Sequence, residues 1–166
     1  MSGRLGNFCG FAACAGLLAY AYYTQVFMHL EPCPLCIFQR VGVFALGCVL
    51  LLATVHDPVS WGRSVYAVLV ALAALATMGV AARHLYIQSL PPDAVPACGA
   101  ALSYLMKVFS LSEVVVKVLT GSGECAKVTW SFLGLSMPGW VLIAALAIGG
   151  YGVWVNLRRQ RPILRF

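Results

Sequence analysis

The sequence predicts an all-α membrane protein, a four-helix bundle with one long polar loop, and three observations predict it. Of 166 residues, 61% are hydrophobic and only 10% are charged, against roughly 25% charged in soluble domains. The mean hydropathy is +0.89. Four apolar stretches, about 8–28, 35–55, 65–83 and 138–157, approach the roughly 20 residues that span a hydrocarbon core. A net charge of +6 excludes little by itself. The basic residues form no dense stripe with interleaved aromatics, so a nucleic-acid partner is not expected and the charge reads as membrane topology.

The first stretch starts after Arg4 and runs through Tyr22, Tyr23 and Phe27. Ala19-Tyr20-Ala21 would suit a signal-peptidase site, but the apolar run continues past it as a span. Cys9, Cys14 and Cys48 have no matching loop partners and are expected to be small packing residues. The connection 29–34 is a tight turn that delivers Cys33 to the membrane surface.

The second stretch is short unless it begins at Leu35, which requires Gln39 and Arg40 to face the bundle interior. A charge inside a membrane helix costs at least about 2.5–3.5 kcal/mol on insertion scales and is usually retained for function. Cys33-Pro34-Leu35-Cys36 opens this helix. Pro34 suits its first turn, and the helix start favours a thiolate. Rotations of about 100° per residue bring Cys33, Cys36 and Arg40 within about 60° of arc. A dithiol/disulfide pair with a fixed positive charge one turn away suits redox work.

His56 reads as a solvated residue of the turn 56–64, which also carries Trp61. The third stretch is rich in alanine; Gly79 is expected to allow close helix approach, and Arg83-His84 to end the span. The loop 84–137 holds Pro91, Pro92 and Pro96, then Cys98, then apolar residues at helical spacing. Leu102, Leu105, Met106 and Phe109 form one set, and Leu111, Val114, Val115, Val118 and Leu119 another. Ser110 and Glu113 have capping-box spacing and Gly121 can end the second helix. This short amphipathic helix either lies in the interface or packs on the bundle. Gly121-Ser122-Gly123 reads as flexible and leads to Cys125. Pro138 and Trp140 suit the start of the last span.

An even number of spans puts Arg4, Arg63, Arg158, Arg159, Arg161 and Arg165 on one side and Arg40, Arg83, Lys107, Lys117 and Lys127 on the other. The first set lies beside helix ends, where the positive-inside rule acts, so both termini are expected to be cytoplasmic. The cysteine loops then face an oxidising compartment such as a bacterial periplasm, where Cys98 and Cys125 most simply form a disulfide. Two redox pairs in series suit disulfide formation, one reaching a soluble thiol and one reaching a lipid quinone.

Taken together, the four spans, Cys33-Pro-Leu-Cys-Ile-Phe-Gln-Arg40, the two loop cysteines and Trp130-Ser-Phe-Leu-Gly-Leu-Ser-Met-Pro-Gly-Trp140 resemble the disulfide bond formation protein B (DsbB) family over nearly the whole chain. The resemblance implies a quinone-dependent membrane thiol oxidase of the bacterial inner membrane that reoxidises a periplasmic thioredoxin-fold dithiol oxidase (DsbA). Ubiquinone or menaquinone would take the electrons. It implies four catalytic cysteines: Cys98 forms the mixed disulfide with the partner, Cys125 attacks Cys33, and Cys36 faces the quinone. It places Arg40 and His84 at the quinone, with Gln39 standing where relatives can have an acid. No resident metal is expected.

Two other readings are weighed. In vitamin K epoxide reductase-like proteins the loop cysteines precede the CxxC, which is the reverse of the order here. In a non-enzymatic scaffold the loop cysteines would be structural or bind zinc, although zinc sites favour two CxxC-like pairs.

Overall fold

A computed structural model of the chain describes residues 3–91, 106–121, 123–128 and 130–158. Cys98, the segment carrying Pro92 and Pro96, Leu102, Leu105 and the tail residues Arg159, Arg161 and Arg165 lie outside the described residues. The element order is α1 (Gly3–Phe27), α2 (Pro34–His56), α3 (Trp61–Ser89), α4 (Leu111–Thr120), the short α5 (Gly123–Ala126), a hairpin of β1 (Ser131–Phe132) and β2 (Leu135–Ser136), and α6 (Met137–Leu157). The helices α1, α2, α3 and α6 are each long and apolar enough to cross a membrane. They form a ring in which α1 packs on α2, α2 on α3, α3 on α6, and α6 back on α1.

The helices are longer than hydropathy alone suggests. Helix α1 starts at Gly3 rather than near Phe8, and α3 runs on to Ser89 instead of ending at Arg83-His84. Polar residues at the ends are accommodated because they have partners within the bundle. Arg4 donates to the Thr54 carbonyl (3.2 Å), and Arg63 to the carbonyl of Arg158 (3.0 Å).

Large apolar side chains such as Phe8, Tyr22, Phe44, Leu72 and Trp154 point outward, as lipid-facing residues do. Lipid is as apolar as leucine, so helix contacts rest on small residues and hydrogen bonds. A Cβ on Gly42 would collide with Thr77, and one on Gly149 with Ala74. Gly79, expected to serve this purpose, instead faces open space, because its side of α3 is turned away from the neighbouring helices. Cys14 is buried as expected, Cys48 is partly buried, and Cys9 lies on an exposed face. Asn7 and Asn156 exchange side-chain hydrogen bonds between α1 and α6 (3.3 and 2.8 Å), and Asn156 also donates to the Gly152 carbonyl (2.8 Å).

One core cluster fills the middle of the bundle around Cys14, Val43, Leu46, Leu50, Val70 and Ala74. A second, made by Leu35, Ile87, Val114, Val118 and Cys125, joins the loop helices to the start of α2 and the end of α3. Helix α4 has the expected capping box: the Ser110 N–H and hydroxyl both donate to Glu113 Oε2 (3.0 and 2.8 Å). Its apolar face is seated on the bundle, with Val114 and Val118 buried. At its other end, the Arg83 side chain donates to the carbonyls of Leu119 (2.8 Å) and Thr120 (3.4 Å), which would otherwise be unpaired at a helix C-terminus.

Candidate active site

Cys33 occupies the N-cap of α2, with Pro34 in the first turn. Its Sγ accepts the Cys36 backbone N–H (3.4 Å), and the two sulfurs lie 3.2 Å apart. The i, i+3 spacing and the cap geometry together bring them face to face.

Behind the pair stands His84 of α3, buried to 2% exposure. Its Nε2 lies 3.7 Å from Cys33 Sγ and 3.0 Å from the Cys125 carbonyl oxygen. Its Nδ1 lies 3.0 Å from Gln39 Nε2 and 4.0 Å from Cys36 Sγ. If the Gln39 amide donates to Nδ1, the ring proton sits on Nε2 and is donated to the Cys125 carbonyl. Gln39 is buried as the sequence requires, and its partner is this histidine.

Cys125 is packed into the fold. Gly121, expected to give flexibility, has φ +89° and lies so near Ile87 that a Cβ there would collide with it. From this turn the chain enters α5, where Cys125 is buried against Leu35, Ile87 and Val118. The ligating atoms of Cys33, His84 and Cys125 all lie within 4.8 Å of one another.

The opposite side of the pair faces an apolar cavity of about 360 Å³, framed by α1, α2, the hairpin and α6. This is within the roughly 300–1,000 Å³ range of small-molecule pockets. Cys36, Gln39 and Arg40 contribute to its wall. Arg40 is held against α1, donating to Gln25 Oε1 (2.5 Å) and the Ala21 carbonyl (3.0 Å). Trp130, Phe132 and Trp140 form an aromatic wall, with Trp130 and Phe132 stacked at 6.2 Å and Phe132 and Trp140 6.0 Å apart. The Trp140 indole N–H donates to the Phe132 carbonyl (3.1 Å).

A smaller cavity of about 60 Å³ on the loop side is lined by Cys33, Cys36, Arg40, His84 and Lys127, among others. His84 borders this smaller space and is not part of the larger cavity's wall. The structure thus brings together Cys33, Cys36, Cys125 and His84, and sets Arg40 around the helix toward the apolar cavity. The sequence reading did not find Gln25, the Gln39–His84 contact or the aromatic hairpin.

The sequence profile described as "Disulfide bond formation protein DsbB" matches residues 3–155. The chain belongs to the DsbB family. Among its relatives, the disulfide bond formation protein B of Nitrosococcus oceani is 51% identical over 154 residues, covering 93% of this chain and 91% of the relative. That of Hahella chejuensis is 46% identical over 162 residues, covering 98% and 97%. That of Marinobacter nauticus is 48% identical over 152 residues, covering 92% and 90%. A DsbB-family chain with four long apolar helices is a multi-pass membrane protein.

Proposed function

We propose that this chain is a membrane thiol:quinone oxidoreductase that reoxidises a periplasmic DsbA-like thioredoxin-fold protein, with ubiquinone or menaquinone as electron acceptor. The observation that carries this reading is the position of the Cys33/Cys36 pair. On one side Cys125 lies within thiol-exchange reach of Cys33, and on the other Cys36 borders an apolar cavity.

The residues present fit a quinone. An aromatic wall suits a planar apolar ring, and the Arg40 guanidinium suits a carbonyl oxygen that gains negative charge. When bound, a quinone supplies an acceptor for two electrons and two protons.

The thiol steps follow disulfide exchange. A partner thiolate attacks Cys98 of a Cys98–Cys125 disulfide, forming a mixed disulfide and releasing the Cys125 thiolate. Cys125 attacks Cys33 of the Cys33–Cys36 disulfide, releasing the Cys36 thiolate beside the cavity. Completion of the exchange leaves the partner oxidised, restores the outer disulfide and stores two electrons and two protons as the Cys33/Cys36 dithiol. Arg40 holds the acceptor. His84, which the family resemblance places on the quinone side, also fixes the Cys125 backbone beside Cys33.

Arg4, Arg63 and Arg158 lie at the end of the bundle opposite Cys33 and Cys36. This supports cytoplasmic termini and periplasmic redox loops in a bacterial inner membrane. The deciding experiment is quinone reduction by the purified protein given a reduced periplasmic dithiol oxidase. Thiol-dependent turnover that disappears in Cys36→Ser and Cys98→Ala is expected. Absence of turnover in the unaltered protein, with ubiquinone and with menaquinone, refutes the proposal.

A further inference from the structure

Thiol exchange needs sulfurs close together, and the same closeness creates a second capability. The ligating atoms of Cys33, His84 and Cys125 lie within 4.8 Å of one another, and His84 and Cys125 are buried. Cys36, outside that group, is the nearest further donor, with its Sγ 3.2 Å from Cys33 Sγ and 4.0 Å from His84 Nδ1. In a tetrahedral zinc site, bonds of about 2.3 Å to sulfur and 2.0–2.1 Å to nitrogen set the donors roughly 3.5–3.8 Å apart. The donors of Cys33, His84 and Cys125, at most 4.8 Å apart, therefore need to close by about 1 Å.

The histidine is also suitably held. Its Nε2 is the nitrogen near Cys33 (3.7 Å), so it is the one available to a metal, while Nδ1 faces Gln39 (3.0 Å). A ligating imidazole donates its other N–H to a neighbouring acceptor. The Gln39 side chain provides one by turning its amide so that Oε1, rather than Nε2, meets Nδ1. Binding would cost the His84 hydrogen bond to the Cys125 carbonyl. Three thiolates overcompensate a divalent cation by one charge, and Arg40, which borders the same small cavity, offsets the excess.

We infer that the fully reduced centre binds one zinc ion through Cys33, Cys36, Cys125 and His84. No electron moves: four metal–ligand bonds form and the thiols release their protons to solvent. The bound ion withholds the sulfurs from exchange, so zinc is a reversible inhibitor of the reduced protein. The site stands on donor geometry; only its inhibitory effect rests on the thiol oxidase reading.

The test uses the full chain in detergent, reduced, freed of reductant under anaerobic conditions and titrated with cobalt(II), a spectroscopic substitute for zinc. One equivalent should give thiolate-to-cobalt charge-transfer bands and the visible bands of a tetrahedral ion, both lost on adding zinc. Protein oxidised beforehand should give neither. His84→Ala and Cys125→Ser should each weaken binding at least tenfold, whereas a Cys9→Ser/Cys14→Ser/Cys48→Ser triple variant should bind as before.

Unaltered reduced protein that shows no such spectrum overturns the site without recourse to any variant. Undiminished binding by His84→Ala and Cys125→Ser, each folded by circular dichroism, does so as well. In the quinone assay, micromolar zinc should stop turnover and a chelator should restore it. Turnover unaffected by zinc at concentrations that saturate the cobalt-defined site removes the inhibitory role alone. Failure of turnover in chelator-treated protein tells against the oxidase reading and leaves the site standing.

Discussion

Val118 joins the loop to the bundle, and replacing it with alanine isolates that connection. The side chain is 3% exposed and packs in the cluster with Leu35, Ile87 and Cys125. Val118→Ala removes two buried methyl-sized groups, worth about 1.6 kcal/mol at about 0.8 kcal/mol each before any cavity contribution. Val118 joins α4 to Leu35 of α2 and Ile87 of α3, so the loss falls on the docking of α4 and α5. The free energy for lifting that unit should fall by about 1.6 kcal/mol, which raises its open population about 15-fold. The readout is maleimide labelling of reduced Cys125 in a background where the other cysteines are serine. Under conditions where closing outpaces labelling, the rate reports the open population, and an increase of about 15-fold is expected. An unchanged rate would mean that Val118 does not hold Cys125 in place and would refute the argument that α4 positions it.

Three more predictions rest on separate contacts. Asn7→Leu or Asn156→Leu should each destabilise the bundle in detergent unfolding, and the double variant should recover part of the loss. The coupling expected for a hydrogen bond between membrane helices is about 0.6–1.7 kcal/mol. Arg40→Gln should raise the apparent KM for quinone about tenfold or more, and Gln25→Ala should do so more weakly by loosening the guanidinium; steady-state kinetics over a quinone series measures both. The Ser110 hydroxyl and backbone N–H hold the Glu113 carboxyl below its ordinary value of 4.5. Its contribution to α4 is therefore fully present above about pH 4.5 and is lost as pH falls through the lowered value. Amide exchange in α4, corrected for intrinsic rates, should accelerate over that acid range, and Glu113→Gln should remove the dependence.

What the sequence made legible were features written in local spacing. The four apolar helices follow from hydropathy, the start of α2 from Cys33-Pro34, and the capping of α4 from Ser110 and Glu113. Features set by the packing of distant segments were not legible. The glycines of α2, α3 and α6 look alike in sequence, so only assembly distinguishes Gly42 and Gly149, which meet neighbours, from Gly79, which does not. Gln39 and His84 lie on different helices, and no periodicity relates them.

The hairpin escaped notice for a different reason. Its two-residue turn has φ +52° at Leu133 and +79° at Gly134. Leucine seldom adopts that backbone region, so Leu-Gly lacks the signal that Asn-Gly would give. The packing of Gly121 against Ile87 is likewise set by a distant segment and leaves no local trace.

The hairpin and Cys125 belong to one short run of chain. Trp130 and Phe132 wall the apolar cavity, and Cys125 a few residues earlier sits beside Cys33. The run is tied to the third helix at two points, through the Cys125 carbonyl to His84 and through Ser136 to Gln88 (2.7 Å). In the proposed reading, the thiol that receives electrons and the wall of the acceptor cavity therefore lie on one short run of chain, anchored to the same helix. On that reading, altering Trp130 or Phe132 to retune acceptor choice is expected to change the rate of sulfur exchange as well, which makes the two properties ones to optimise together.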